Sequence, residues 1–366
     1  MTSPIHIVHV VASFGCGGLE RVIANLISHS NPETHKHSII SLTDDLSFRY
    51  ALPEGTNLIS LDKKPGHDWG IHARLLKQLK KWRADVIHTY NFATLEYHAV
   101  AKLAGVKRHV HADHGLGGDH PEGKNKKHNI FRKLMAHFID DYVVVSNDLK
   151  SWVVDHVGVP SKKVNFVFNG VSIPERAVLP YKPSGSLNMV IVGRLHPVKN
   201  HIRLLNAIST AMASYPDLSL SLTVVGAGSE ENNIRNTIQA LDLHNVVTMA
   251  GHQNNVAGYI SKADAFVLSS DYEAMPMTVL EAMALCRPVI CPNVGGVSDF
   301  ITPEDVYLTL GKNTNSLAGK IIELALTSSD SYVGKVNAAY DKVSREYSIE
   351  KMVQRYNAFY DSAYNL

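Results

Sequence analysis

Cysteine is scarce: Cys16, Cys286 and Cys291 are the only three in a chain of 366 residues. An odd count without C-x-x-C spacing excludes a disulfide framework and a cysteine-based zinc site, and fits ordinary reduced thiols. Long apolar runs are missing as well. No segment reaches the ~20 apolar residues of a membrane-spanning helix. The opening MTSPIHIVHVVASF has neither a cationic leader nor a small-residue cleavage site, so no signal peptide is read and a cytoplasmic protein is expected. Charge of one sign is not in excess: 36 Lys and Arg stand against 34 Asp and Glu, a formal net charge of +2. That balance points to no class of partner, and no nucleic acid is expected. Internal repeats and low-complexity tracts are absent too.

What is present is a globular composition, 45% apolar and 19% charged, in a chain long enough for two domains at about 150 residues each. Short apolar runs, IHIVHVV, HSIISL, DVIHTY, HVHA and YVVV, alternate with helix-period segments such as Gly70 to Trp82, where Ile71, Leu75, Leu79 and Trp82 share a face. That rhythm predicts βαβ units and a parallel sheet. It breaks in NGVSIPERAVLPYKPSGSL, a proline- and glycine-rich linker, and restarts with LNMVIV, LSLTVV, AFVL, PVIC and VYLTL. A second doubly wound domain follows. The final segment, from a candidate N-cap at Ser348, spaces Met352, Tyr356, Phe359 and Ala363 along one helical face. Ligands of open α/β sheets bind outside the carboxyl ends of the strands, which directs attention to the loops there.

Three of those loops carry candidate chemistry. FGCGGLER after the first strand sets Gly15, Gly17 and Gly18 ahead of a helix, a turn that lets backbone amides approach a phosphate. A dinucleotide fingerprint fails because Glu20 stands where the third glycine belongs. Glycine turns are common in α/β proteins, so this loop alone decides nothing. In VGRLHPVKN, Arg194 and Lys199 bracket a proline turn at a strand's end, a guanidinium fork and a point charge suited to a diphosphate. The third loop, SSDYEAMPMTVLEAM, separates Glu273 from Glu281 by seven residues. Pro276 favours the first turn of the helix that carries Glu281. Amides from Ala274, Met275, Met277 and Thr278, around Pro276, would face an anion, while the glutamates would accept hydrogen bonds from the hydroxyls at either end of a nucleotide sugar.

VGRLHPVKN, VVGAGSE, EAMPMTVLEAMALCRPVI and NVGGVSDFI, with FGCGGLER and VFNGVS, together resemble the retaining glycosyltransferases of family 4. The resemblance runs over nearly the whole chain and implies the GT-B fold, two Rossmann-like domains facing each other across a deep cleft. It places an acceptor-binding domain at 1–172, with the helix 348–366 packing back onto it, and a donor-binding domain at 186–345. It implies that Glu273 contacts the donor sugar, Glu281 the ribose, Arg194 and Lys199 the diphosphate of a UDP- or GDP-sugar, and Gly17 and Gly18 the phosphate or acceptor side. His114, in HADHG, resembles a histidine held near the donor sugar. His88 and Asn91, in HTYNFAT, are expected on the acceptor side, though a buried structural role suits that segment equally.

The resemblance further implies retention of configuration. No carboxylate stands out for a double displacement, so a front-face substitution is expected, with charge stabilised electrostatically. No D-x-D is present, and no metal is expected. The set His111, Asp113, His114, Asp119 and His120 imitates a metal site without a recognised ligand spacing. Residues 124–138, KNKKHNIFRKLMAHF, read as an amphipathic helix with Ile130, Phe131, Leu134, Met135 and Phe138 on one face among Lys124, Lys126, Lys127, Arg132 and Lys133. Such a helix suits either a core-facing position or peripheral contact with an anionic membrane and a lipid-linked acceptor. A sugar-nucleotide 2-epimerase and a non-catalytic sugar-nucleotide scaffold are the alternatives.

Overall fold

The computed structural model describes residues 3–116, 123–177 and 185–364. The chain divides into two compact units, Met1–Gly170 with Ile349–Leu366, and Val171–Ser348. Each is built on one parallel sheet.

In the first unit the strands are β1 (Ile5–Val11), β2 (His35–Ser41), β3 (Asn57–Ser60), β4 (Val86–Tyr90), β5 (Arg108–Asp113), β6 (Asp141–Val144) and β7 (Val164–Phe166). Their order across the sheet is β3-β2-β1-β4-β5-β6-β7. β1 is buried along its whole length, as a central strand covered on both faces must be, and this is why it reads as an unbroken apolar run. Helix Gly70–Trp82 buries Ile71, Leu75 and Leu79, one residue per turn, and stops where Arg83 turns left-handed at φ 52°.

The helix Ile349–Asp361 belongs to this unit although it is last in the chain. It buries Ile349, Met352, Val353, Tyr356 and Tyr360. Tyr360, not Phe359, continues the face begun by Met352 and Tyr356, because successive steps of four residues stay on one side of a helix. The Tyr360 hydroxyl lies 2.8 Å from His88 Nδ1, and Asp361 lies 3.0 Å from His35 Nε2.

The second unit holds β8 (Ser186–Val192), β9 (Ser219–Val225), β10 (Val247–Gly251), β11 (Ala265–Val267), β12 (Val289–Pro292) and β13 (Tyr307–Thr309). The order is β10-β9-β8-β11-β12-β13, all pairs parallel. The chain moves outward from β8 in one direction, then returns to β11 and moves outward in the other. β8 and β11 therefore flank a topological switch point, and so do β1 and β4 in the first sheet. A core of Met189, Ile191, Leu204, Ile208, Val224 and Ile321 closes the second unit.

Candidate active site

The switch point of the second sheet brings together the loops that leave β8 and β11. From β8 the chain passes Gly193 and Arg194, makes the single turn Pro197–Lys199, and enters helix His201–Ser214 through Asn200, which is left-handed at φ 45°. From β11 it runs through Ser269, Ser270, Asp271 and Glu273 to Pro276, the N-cap of helix Met277–Ala284.

Lys199 Nζ donates to Glu273 Oε1 at 2.6 Å, and the Ser270 hydroxyl donates to the same oxygen at 2.5 Å. Glu273 is buried at 8% exposure. A carboxylate withdrawn this far from water requires such partners. Arg194 is exposed, with no ion-pair partner among the described residues, so its guanidinium is open to an anion from solution. Ala274, Met275, Pro276 and Met277 are buried, while Thr278 and Glu281 are half-buried. Spaced by three, Thr278 and Glu281 share the partly open face of their helix.

Glycine keeps the neighbouring turns close. A Cβ on Gly226, which follows β9, would stand 1.9 Å from the Gly193 carbonyl oxygen. Gly295 has φ +55° and lies so near the Glu273 carbonyl that a Cβ would approach it to 2.3 Å, and the Gly296 amide donates to that carbonyl at 2.9 Å. Only glycine serves at both places.

In the first sheet Gly17 and Gly18 are exposed at the start of helix Gly18–His29, with Gly17 as its extended N-cap. Asn91 and His114 directly follow the neighbouring strands β4 and β5. Asn91 has φ 57°, and its side-chain oxygen accepts from the His114 amide at 2.9 Å. Burial pushes the His114 imidazole down to about 4 against the opposing pull of Asp113. It is neutral near pH 7, and its Nε2 has no hydrogen-bond partner among the described residues.

Beneath it, burial alone would raise Asp113. Arg132, whose Nε lies 3.5 Å away, His111 and the Tyr142 hydroxyl at 2.5 Å hold the carboxyl well below the carboxylate range instead.

Two sequence readings change. His88 has no exposed surface, and its Nδ1 lies within 2.9 Å of both the Tyr360 and Tyr90 hydroxyls, so it is a core histidine and does not line an acceptor pocket. Arg132 is not part of a basic surface: it is buried at 2% exposure against Asp113 and over the rings of Phe92 and Trp152. Of the imitation metal set, Asp119 and His120 lie outside the described residues, and no group of three His, Cys, Asp or Glu among the described residues could hold a metal ion.

Sequence reasoning also missed Asn200, Arg203, Ser270 and Asp271, which brace Lys199 and Glu273. The adjacent KN and SSD of the quoted motifs were the only signal for Asn200, Ser270 and Asp271, and Arg203 had none.

Comparison with known families supplies the decisive observation. Residues 16–174 match the model of Glycosyltransferase Family 4, and residues 180–339 that of Glycosyl transferases group 1. The chain belongs to glycosyltransferase family 4.

This family 4 enzyme is 22% identical over 348 residues to an uncharacterized glycosyltransferase of Haemophilus influenzae, covering 93% of this chain and 95% of that one. It is 27% identical to the UDP-Gal:α-D-GlcNAc-diphosphoundecaprenol α-1,3-galactosyltransferase of Escherichia coli over 61% of each chain. Among solved structures, Anabaena HepE in complex with UDP and glucose superimposes with a TM-score of 0.84 at 16% identity, covering 97% of this chain and 99% of the other. That likeness establishes the GT-B fold of this glycosyltransferase, in which two Rossmann-like domains carry the parallel sheets described above.

Proposed function

We propose that this glycosyltransferase moves a sugar, with retention of configuration and without a metal ion, from a UDP- or GDP-sugar to a hydroxyl of a saccharide or lipid-linked saccharide in cell-surface polysaccharide or glycolipid synthesis. The observation that carries the reading is the Lys199–Glu273–Ser270 cluster at the second sheet's switch point, with Arg194 exposed in the same loop as Lys199. In this reading the unit Val171–Ser348 binds the donor and the first unit the acceptor.

Glu273 accepts hydrogen bonds from the donor sugar's hydroxyls and Glu281 from the ribose. Arg194 and Lys199 stabilise the diphosphate as the glycosidic bond breaks and negative charge collects on the leaving oxygen. The acceptor hydroxyl attacks on the face the diphosphate leaves, and a diphosphate oxygen takes its proton. His114, neutral and with Nε2 unpartnered, hydrogen-bonds the donor sugar without adding charge. Gly17 and Gly18 present amides to the phosphate or acceptor, and Asn91 holds the strand end that carries His114.

The donor and acceptor named for the Escherichia coli relative, a UDP-sugar and a diphosphoundecaprenol-linked sugar, support these substrate classes. A lipid-linked acceptor also accords with helix Lys126–Met135. Ile130, Leu134 and, just beyond it, Phe138 are exposed at 62%, 55% and 39%, among the exposed Lys126, Lys127 and Lys133. No helix among the described residues is long and apolar enough to cross a membrane, so contact with an anionic leaflet through this face would be peripheral.

Incubation with labelled UDP- and GDP-sugars, with and without membrane extract and with and without chelator, tests the proposal. Acceptor-dependent release of nucleoside diphosphate, an α-linked product from an α-linked donor and indifference to chelator are expected. Acceptor-free isomerisation of the donor sugar, or binding without turnover, would overturn it.

A further inference from the structure

One buried guanidinium joins the two loops that carry the site. Arg203 lies in the first turn of helix His201–Ser214 at 9% exposure. Its Nη1 donates to the Ser269 carbonyl at 3.0 Å and stands 3.5 Å from the Ser270 carbonyl, and its Nη2 pairs with the Asp271 carboxylate.

The clamp is tied back to the Lys199 turn by several further bonds. The Arg203 amide donates to Asn200 Oδ1 at 3.1 Å, and Asn200 Nδ2 reaches both Asp271 carboxylate oxygens at 3.2 and 3.3 Å. The Asp271 amide donates to the Val198 carbonyl at 2.7 Å, and the Ser269 hydroxyl to the Lys199 carbonyl at 2.9 Å.

We propose that Arg203 is a positioning residue for the sugar transfer: by gripping residues 269–271 it holds the Glu273 carboxylate on Lys199. The proposal rests on the reading above, in which that pair serves the donor.

The physical argument begins with β11, which is three residues long and ends at Val267. Past it the Leu268 amide still donates to the Ile290 carbonyl of β12 at 2.8 Å, and the residues that follow lie outside the strand. Ser269 and Ser270 are 1% and 0% exposed, so their carbonyls need donors from within the protein. A planar guanidinium supplies several N–H groups at fixed angles, reaching two carbonyls and one carboxylate at once. A lysine ammonium carries its three N–H donors on one compact centre and cannot span the set. Glu273 follows Asp271 by two residues, and Ser270, one of the gripped residues, itself donates to Glu273. Release of the grip would therefore shift the carboxylate and one of its donors together. A misplacement of about 1 Å costs on the order of 10²-fold in rate.

The test uses Arg203→Met and Arg203→Lys in the full chain, each with and without Glu273→Gln, assayed with radiolabelled donor alongside hydrogen exchange of residues 197–200 and 269–273. In the otherwise unaltered enzyme Arg203→Met is expected to lower kcat about 10- to 100-fold with a smaller change in donor KM. Beside Glu273→Gln it should cost less than about 3-fold, since the group it positions is already disabled. Arg203→Lys should recover part of kcat. Exchange at 269–273 should quicken in Arg203→Met.

Equal losses in both backgrounds, or unchanged exchange at 269–273, would overturn the proposal. Should Arg203→Met fail to fold, Asp271→Asn cuts the same clamp from its more exposed side and must show the same dependence on Glu273. A Glu273→Gln enzyme with undiminished transfer would instead sink the donor reading, and exchange alone would then decide whether Arg203 holds the loop.

Discussion

Lys199 and Glu273, 74 positions apart, meet at 2.6 Å because β8 and β11 are neighbours in the second sheet and each residue lies in the loop that leaves its strand's carboxyl end. In the proposed site, Glu273→Ala would remove the acceptor for the sugar hydroxyls, and Lys199→Ala a cation that faces the diphosphate. Each is expected to lower kcat by on the order of 10²-fold, as loss of one preorganised group does. The pair acts as a unit, so the double variant should lose far less than the product of the single losses. Steady-state rates with a saturating donor decide this. Full activity in either single variant would contradict the site.

The Glu273 backbone offers a second handle. Gly295→Ala would place a Cβ 2.3 Å from the Glu273 carbonyl oxygen at a residue with φ +55°. Backbone atoms cannot yield as a flexible side chain can, so the Glu273 loop must move, and a loss of at least 10-fold in kcat is expected for a shift approaching 1 Å. Gly311→Ala is the control: it has the same strain at φ +52° but no atom within 4 Å of the added Cβ. Equal activities in the two variants would refute the steric argument.

The interior strands were legible because a parallel strand covered on both faces is an apolar run, and IHIVHVV, DVIHTY, LNMVIV and AFVL are β1, β4, β8 and β11. The strands not read from the sequence, Asn57–Ser60, Val164–Phe166 and Val247–Gly251, all lie at sheet edges. An edge strand is short and only partly covered, so its apolar signal is weak. The site divides in the same way. The residues proposed to meet a ligand sit in ordered local motifs, whereas Arg203 reads as one more polar residue on a helix and Arg132 as one of a basic run. Their partners, Asp271 and Asp113, lie far off in sequence, and periodicity carries no information about pairing at that range.

His88 and Tyr360 tie the last helix to the first sheet. Tyr360→Phe deletes one hydroxyl but leaves His88 Nδ1 the Tyr90 hydroxyl at 2.9 Å, so a loss of only about 1 kcal/mol is expected. Tyr360→Ala also opens a cavity, and about 3–5 kcal/mol follows by analogy with other aromatic truncations. All three tryptophans, Trp69, Trp82 and Trp152, belong to the first unit. Their fluorescence during urea unfolding therefore reports that unit specifically, and an unchanged midpoint in Tyr360→Ala would show that the helix adds nothing to it.

Acid should weaken the same unit. Burial, followed by the influence of neighbouring histidines, holds His9, His88 and His98 well below their ordinary value, and pushes His37 down to about 3. Near pH 6.5 an unfolded chain begins to protonate these rings while the folded chain does not. The unfolded state then binds more protons, so stability is lost as pH falls from about 6.5 toward 4. Asp113, held low when folded, contributes its own stability above the ordinary aspartate value near 4 and loses it only below that. A tryptophan-detected urea midpoint that declines between pH 7 and 5 is expected. A flat midpoint over that window would contradict the buried, neutral state of these histidines.

The helix Lys126–Met135 admits the most direct test of membrane contact. Lys126, Lys127 and Lys133 are exposed and have no ion-pair partners among the described residues, beside the exposed Ile130, Leu134 and Phe138. At about 1 kcal/mol per cation near an anionic surface, changing all three lysines to alanine should weaken binding to phosphatidylglycerol vesicles by about 10²-fold at low ionic strength. Raising the salt to half-molar should weaken binding of the unaltered enzyme as well, because screening shortens the reach of these charges. Leu134→Ser and Phe138→Ser should reduce binding in a way that salt does not reproduce, since they remove apolar contact and leave the field in place. Sedimentation with vesicles separates the two contributions, and an enzyme that fails to sediment even at low salt would exclude this face as a membrane anchor.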